Sequence, residues 1–407
     1  MNWTDYKLAE ISTNIQTGPF GSQLHQSDYS ECGTPVVMPK DLIAGHISED
    51  SIARVSEDHV ERLSRHKIEE GDILYSRRGD VGRCAYAGLK EVGWLCGTGC
   101  LRVSINAQIA NSKYVFYQLQ KAETVGWVVN HAVGATMLNL NTSILSDVPV
   151  KLPNLEIQNK TVRVLSAYDA LIENNQKQIK LLEEAAQRLY KEWFVDLRFP
   201  GYEDVHVING VPEGWSIKII SDVCDSIGGG TPSTARKEYY EGGTIKWVTP
   251  TDLTKDGSLI LLDTEKKITE LGLQNSSVKL LPPRTILMTS RASIGYFALC
   301  DEEVCTNQGF ISCMPYHENM RYYLLFNLID RVEEIKGKAT GSTFLEIAKR
   351  TFRNMEIVIP DSKTLDAFTE MINSVMEKMK ISKEEMLRTL EARNRLLPKL
   401  MSGEIEL

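Results

Sequence analysis

Two stretches of the chain carry seam positions in a repeating four-then-three rhythm. In the first, Thr161, Leu165, Tyr168, Ile172, Asn175, Ile179, Leu182, Ala186, Leu189 and Trp193 keep to one side of a helix. In the second, Phe368, Ile372, Val375, Met379, Ser382, Met386, Leu390, Leu397 and Leu400 lie on or near an equivalent seam. This spacing predicts two long helices packed seam against seam. Asn175 and Ser382 fall at matching levels, and a polar residue in such a seam fixes register and partner choice. The first stretch, Gln158 to Phe194, would run roughly 55 Å at about 1.5 Å per residue, past the width of one small domain.

Elsewhere the pattern changes. Short alternating runs such as "DILYS" and "TILMTS" sit between Gly and Pro punctuation, with a few helix-like segments. That mixture predicts α+β domains. The reading divides the chain into a domain over 1–153, a helix over 154–200, a linker over 201–210, a second domain over 211–360 and a second helix over 361–407.

The two domains are copies. "AVGATMLNLNTSILSDVPVKLP" (Ala132–Pro153) answers "ATGSTFLEIAKRTFRNMEIVIP" (Ala339–Pro360), with Gly134 on Gly341, Thr136 on Thr343 and Leu138 on Leu345. "GDILYSRRGDVG" answers "PRTILMTSRASIG", which sets Arg78 on Arg291 and Gly82 on Gly295. Trp3 answers Trp215, and "VVMPKDL" answers "KWVTPTDL". A repeat of this length, with small shifts of register falling in loops, is a duplicated half. Two similar domains joined by two helices related by an approximate twofold predict an antiparallel helix pair.

Charge and cysteine narrow the class. The net charge is −8, from 46 basic and 54 acidic residues, and none of the five segments is net positive. That excludes binding to nucleic acid by bulk charge and leaves binding through a local basic face. The eight cysteines contain no CxxC pair, and Cys96 and Cys100 have no nearby His, which favours free thiols in a reducing cytosol over a zinc site. No apolar run reaches the roughly 20 residues needed to span a bilayer. The opening "MNWTDYKLAE" has no signal-peptide pattern, so a cytoplasmic location is expected.

Catalytic signatures are missing. "KGKATGST" is not a P-loop, "GGGTPS" lacks the GxGxxG spacing, and neither HExxH nor GxSxG occurs. "PDSK" at Pro360 resembles a fragment of a nuclease motif but falls at a strand-to-helix junction, where Asp361 is better placed as a helix cap. What recurs is polar loop clusters: Ser76, Arg77 and Arg78 opposite Thr289, Ser290 and Arg291; Thr136 opposite Thr343, with Ser342 and Lys338; Thr17, Gly18, Ser22 and Gln23 opposite Gly229, Thr231, Ser233 and Thr234. Arg reads guanine and Gln adenine in the major groove, while Lys, Ser and Thr hold phosphates. Singly these are turn residues; as clusters repeated in two domains they point to binding. The expected DNA contacts are Gln23, Arg77, Arg78, Thr136, Thr231, Ser233, Lys246, Ser290, Arg291, Lys338, Ser342 and Thr343. Expected at the helix-pair or partner interface are Ile172, Asn175, Ile179, Arg188, Leu189, Glu192, Trp193, Met379, Ser382 and Met386.

With "RLYKEWF", the re-entry "GVPEGW", "SRASIG" and the terminal "RNRLLPKLMSGEIEL" added, the chain resembles the specificity subunit of type I restriction–modification systems over essentially its whole length. The resemblance implies a chain that is not catalytic by itself. It implies two target recognition domains, each reading half of a bipartite asymmetric site in double-stranded DNA, and helices that set the gap. It also implies two methyltransferase subunits carrying S-adenosylmethionine, restriction subunits using ATP and Mg, no cofactor or metal in this chain, and no membrane. A self-contained modification enzyme and a tandem scaffold for another ligand are the competing readings.

Overall fold

A computed structural model describes residues 3–134 and 136–406. The chain forms two compact units, one of Met1–Ala170 with Thr389–Leu407 and the other of Leu171–Arg388. Each unit therefore holds one domain plus part of both long helices.

In the first unit a four-stranded antiparallel sheet runs in the order Ser12–Thr17, Cys100–Ile105, Ile73–Ser76, Cys84–Tyr86. Thr34–Val37 pairs parallel with Leu95–Cys96 and antiparallel with Ala53–Val55. Thr4–Lys7 pairs antiparallel with Pro149–Leu152, Thr4 opposite Leu152. The helices Ser112–Leu119 and Ala122–His131 help close the core, burying Tyr114, Tyr117 and Val128 beside Ile73, Tyr75 and Leu101.

The second unit repeats these pairings, without a counterpart among the described residues for the Tyr29–Ser30 edge strand or the hairpin of Leu42–Ile43 and His46–Ile47 in the first. Its antiparallel sheet runs Cys224–Gly228, Phe310–Pro315, Ile286–Thr289, Phe297–Leu299. Ile245–Val248 pairs parallel with Val304–Thr306 and antiparallel with Lys267–Ile268, and Ser216–Ile219 pairs with Glu356–Ile359, Ser216 opposite Ile359. The fold is α+β, built twice.

The helices Leu155–Tyr190 and Ser362–Ser402 bury the expected seam. Thr161, Leu165, Asn175, Ile179, Ala186 and Trp193 are buried on the first; Phe368, Ile372, Met379, Ser382 and Leu400 are buried on the second. Within the second unit, Gln178 stands 3.5 Å from the Ser382 hydroxyl, and the Trp193 ring centre is 5.8 Å from that of Phe368. Rising numbers on one helix thus meet falling numbers on the other, so the pair is antiparallel. In the first unit Arg393 pairs with Asp169 at 3.0 Å, and Leu165 shares a core with Leu400. The first helix ends in a π turn over Lys191–Val195.

Both helices start on the same device. Asn154 accepts the Ile157 N–H at 3.0 Å, and Asp361 accepts the Thr364 N–H at 3.0 Å. The segment read as a linker is ordered: Val207–Ile208 and Val211–Pro212 form a hairpin around Asn209 and Gly210, both at positive φ. An Asn-Gly turn of this kind is the standard two-residue hairpin connection. Phe199 is buried with its ring centre 5.0 Å from that of Trp215. Among the described residues no helix is long and apolar enough to cross a membrane.

Candidate nucleic-acid interface

The repeated "GxT" stretch forms the same loop in both units. Gly134 and Gly341 sit at φ 131° and 144°. A Cβ on either would lie 2.2 or 2.1 Å from the carbonyl oxygen of Met137 or Phe344, so the close turn requires glycine. Past the turn the loop is laced to the segment bearing the arginines. Gly79 N–H donates to Leu138 O and Leu140 N–H to Arg77 O; Ala292 N–H donates to Leu345 O and Ile347 N–H to Ser290 O, all at 2.8–3.1 Å. Arg78 bridges to Asn139 as Arg291 bridges to Glu346. The recurring clusters are one backbone construction made twice.

A third loop joins each site through another close approach. A Cβ on Gly18 would stand 2.0 Å from Gly97 O, and one on Gly229 would stand 2.1 Å from Thr306 O. In the first unit this brings Phe20 under Arg77, with the guanidinium carbon 5.7 Å from the ring centre, and Pro19 O onto the Thr98 hydroxyl at 3.0 Å. In the second it brings the Thr231 hydroxyl to Gln308 Oε1 at 2.5 Å. Arg291 lies 6.0 Å over the Phe344 ring and 3.7 Å from Glu346. Arg291, Ala292, Asn307, Gln308, Phe344 and Pro250 line an open pocket of about 270 Å³.

Most sequence-predicted contacts are exposed, each in its own unit. Arg78, Thr136, Thr231, Ser233, Arg291, Lys338, Ser342 and Thr343 are exposed, and Arg77 is half-buried against Phe20. Lys338 pairs with Glu334 at 3.7 Å. Gln23 spends its side-chain oxygen closing its own loop, accepting from Phe20 N–H at 3.1 Å and Arg65 at 3.4 Å. Two expectations are corrected. Lys246 is held inside, its Nζ 2.6 Å from Leu262 O and 2.8 Å from Glu302, because its strand runs between two others. Ser290 is 2 % exposed at the end of a buried strand, with its backbone supporting the loop ladder.

Several residues were not legible in the sequence. Gln308 and Thr98 lie far from the clusters in sequence and reach them through the antiparallel pairing of the strands that follow them, Phe310 opposite Thr289 and Cys100 opposite Ser76. Phe20, Met137 and Phe344 read as apolar yet are 52, 62 and 57 % exposed. Lys349 and Arg350 are exposed and make no ion pair among the described residues; Lys349 Nζ would stand 3.0 Å from a Cβ on Gly228.

The model of the type I restriction modification DNA specificity domain matches this chain twice, over residues 1–184 and 212–387. The chain belongs to that family. It is therefore a DNA specificity chain of type I restriction–modification, not itself the catalyst, and each match covers one of the two loop constellations. Neither the scaffold reading nor the self-contained-enzyme reading has such support.

The specificity chain is similar to the type I restriction enzyme HindI specificity subunit of Haemophilus influenzae, at 24% identity over 99% of this chain and 100% of that one. It is 36% identical to the MjaIX specificity subunit of Methanocaldococcus jannaschii over 42% of this chain and 43% of that one. The crystal structure of a type I system S subunit from M. genitalium shares the fold, with a TM-score of 0.62 at 15% identity over 98% of this chain and 96% of that one.

In the specificity chain's first unit, a buried relay stands behind the loop of Gln23. His66 is 3 % exposed and accepts from Arg65 Nε at 3.0 Å, and Arg65 reaches on to Gln23. Burial, with the Arg65 and Arg102 cations beside it, pushes the imidazole down to about 4, so it stays neutral and able to accept. Nearby, burial raises Asp72 against the opposing pull of Glu69 N–H, Ser104 and Arg102. The partner-side expectations divide. Asn175, Ile179, Trp193, Met379 and Ser382 are buried in the second unit, and Ile172, Leu189 and Met386 are half-buried. Arg188 and Glu192 are exposed, paired with Glu184 at 3.9 Å and Arg198 at 2.7 Å.

Proposed function

We propose that each domain reads one half of a two-part, asymmetric site in double-stranded DNA, with the two helices setting the gap between the halves. The observation that carries this reading is the duplicated loop constellation, which presents an exposed arginine from the same backbone ladder in each unit. Arg78 and Arg291 are the residues assigned to guanine, each with two parallel N–H donors for O6 and N7. Arg77, Gln23, Thr136, Thr231, Ser233, Lys338, Ser342 and Thr343 surround them, joined by Gln308, Thr98, Lys349 and Arg350. Hydroxyls and lysines at such a rim hold phosphates and fix register, while the arginines carry sequence information.

The chain works with methyltransferase subunits that bind S-adenosylmethionine and flip an adenine from the duplex, and with restriction subunits that use ATP and Mg. Arg188 and Glu192, exposed on the first helix, are the residues assigned to a methyltransferase contact. Half-sites about one helical turn apart, near 34 Å, fall on one face of DNA, a spacing that helices of this length suit. Co-expression with the methyltransferase subunit in a host without adenine methylation, followed by a genome-wide map of methylated adenines, tests the reading. A two-part motif that disappears when this chain is omitted supports it. Co-elution of the two proteins without sequence-specific methylation defeats it.

A further inference from the structure

Each laced loop turns a large apolar side chain out of the cores, with Leu345, 51 % exposed, beside it in the second. Met137 and Phe344 hold the same position in the repeat, 62 and 57 % exposed, while Leu140 and Ile347, three residues further on, are fully buried in the cores. The tips are not loose. Each follows a glycine at positive φ, and the ladder bonds to residues 77–79 and 290–292 hold the residues just beyond it. Exposed apolar surface that recurs in both copies of a duplicated site marks a contact surface.

The surroundings say what it contacts. Phe344 borders the pocket of about 270 Å³ whose other walls are Pro250, Ala292, Asn307, Gln308 and Gly309, with Arg291 alongside. Asn307 Oδ1 is occupied by Gly309 N–H at 2.8 Å and Gln308 Oε1 by Thr231. Both amides keep an NH₂ donor at this pocket, and Arg291 adds a cation that Glu346 faces at 3.7 Å. An apolar shelf flanked by donors and a positive charge matches the major-groove edge of a T·A pair, where the thymine C5-methyl lies next to the O4 acceptor.

We propose that Phe344 reads a thymine methyl beside the base taken by Arg291, and that Met137 does the same beside Arg78. This rests on the assignment of the loops to DNA, and the test separates the two. Binding of the complex with its methyltransferase partner is measured on duplexes of the mapped motif, with each thymidine in turn replaced by deoxyuridine, which lacks only the methyl. In the wild-type complex, one uridine position in the half-site of the second domain weakens binding about fourfold, the value of one buried methyl group. With F344A that penalty disappears and all other positions keep theirs; M137A does the same in the other half-site only. Melting temperatures stay unchanged, because both side chains lie outside the cores.

If no uridine position matters in the wild type, or if F344A weakens thymidine and uridine duplexes equally, Phe344 is only a shelf for Arg291 and the inference fails. Sequence-specific binding would then still stand. If the wild-type complex shows no sequence preference at all, the reading of the loops as a DNA interface fails first.

Discussion

The indole N–H of Trp215 donates to Asp361 at 3.2 Å, joining the residue before the Ser216–Ile219 strand to the residue before the second long helix. The same carboxylate accepts from the Thr364 hydroxyl at 2.7 Å and the Thr364 N–H at 3.0 Å. Asp361 is thus a helix cap with a tertiary partner, as its place at the strand-to-helix junction predicts. Burial works to raise its pKa, but the hydrogen bonds from Thr364, Trp215 and Lys363 outweigh burial and leave it lowered.

Replacing Asp361 with Ala should therefore cost about 1 kcal/mol, the usual value of such a cap. Because the folded carboxyl titrates below its unfolded value, its stabilisation is present above the ordinary carboxylate range and fades as pH falls through the lowered value. Thermal unfolding of D361A and wild type should converge toward acid pH. The methylation pattern of D361A should match wild type, whereas lost methylation in a folded D361A would return this residue to the functional site.

His66 gives a pH dependence of its own. Its pKa is about 4 folded against an ordinary 6.5, so the imidazole is neutral in both states above pH 6.5 and costs nothing there. Between about 6.5 and 4 the unfolded chain takes up the proton and the folded chain does not, so stability falls across that window. H66Q should flatten this part of the stability profile. An unchanged slope would show that the imidazole is not held neutral.

The lysines separate interior from rim. K246A removes the buried partner of Leu262 O and should lower stability by about 1–3 kcal/mol, while leaving the salt dependence of DNA binding by the assembled complex unaltered. K349A and R350A should leave stability alone and each reduce the slope of log affinity against log salt by about 1. A reduced slope for K246A, or none for the other two, would reverse these assignments.

The repeat was readable because identical backbone demands leave identical residues. Gly134 and Gly341 mark the positive-φ turn, and Pro153 and Pro360 end equivalent strands. The helix seam was readable because 3.5-residue spacing has few other uses. The composition of the sites was less so. Lys246 looked like a free cation, but a lysine on a central strand buries its stem and finds a carbonyl. Phe344 carried no signal in the sequence, because an apolar residue after a tight glycine turn can face either the core or solvent. Gln308 entered the site through the long-range antiparallel pairing of Phe310 with Thr289, which leaves no local signal.

The central claim is that two domains read two separate half-sites. It is tested most directly by mapping methylated adenines for R78A and R291A, each co-expressed with the methyltransferase subunit. The account predicts that each variant relaxes one base in its own half of the motif, at about 1–3 kcal/mol of discrimination, with the other half and the gap intact. Relaxation in the same half by both variants, or an unchanged motif in either, would contradict it.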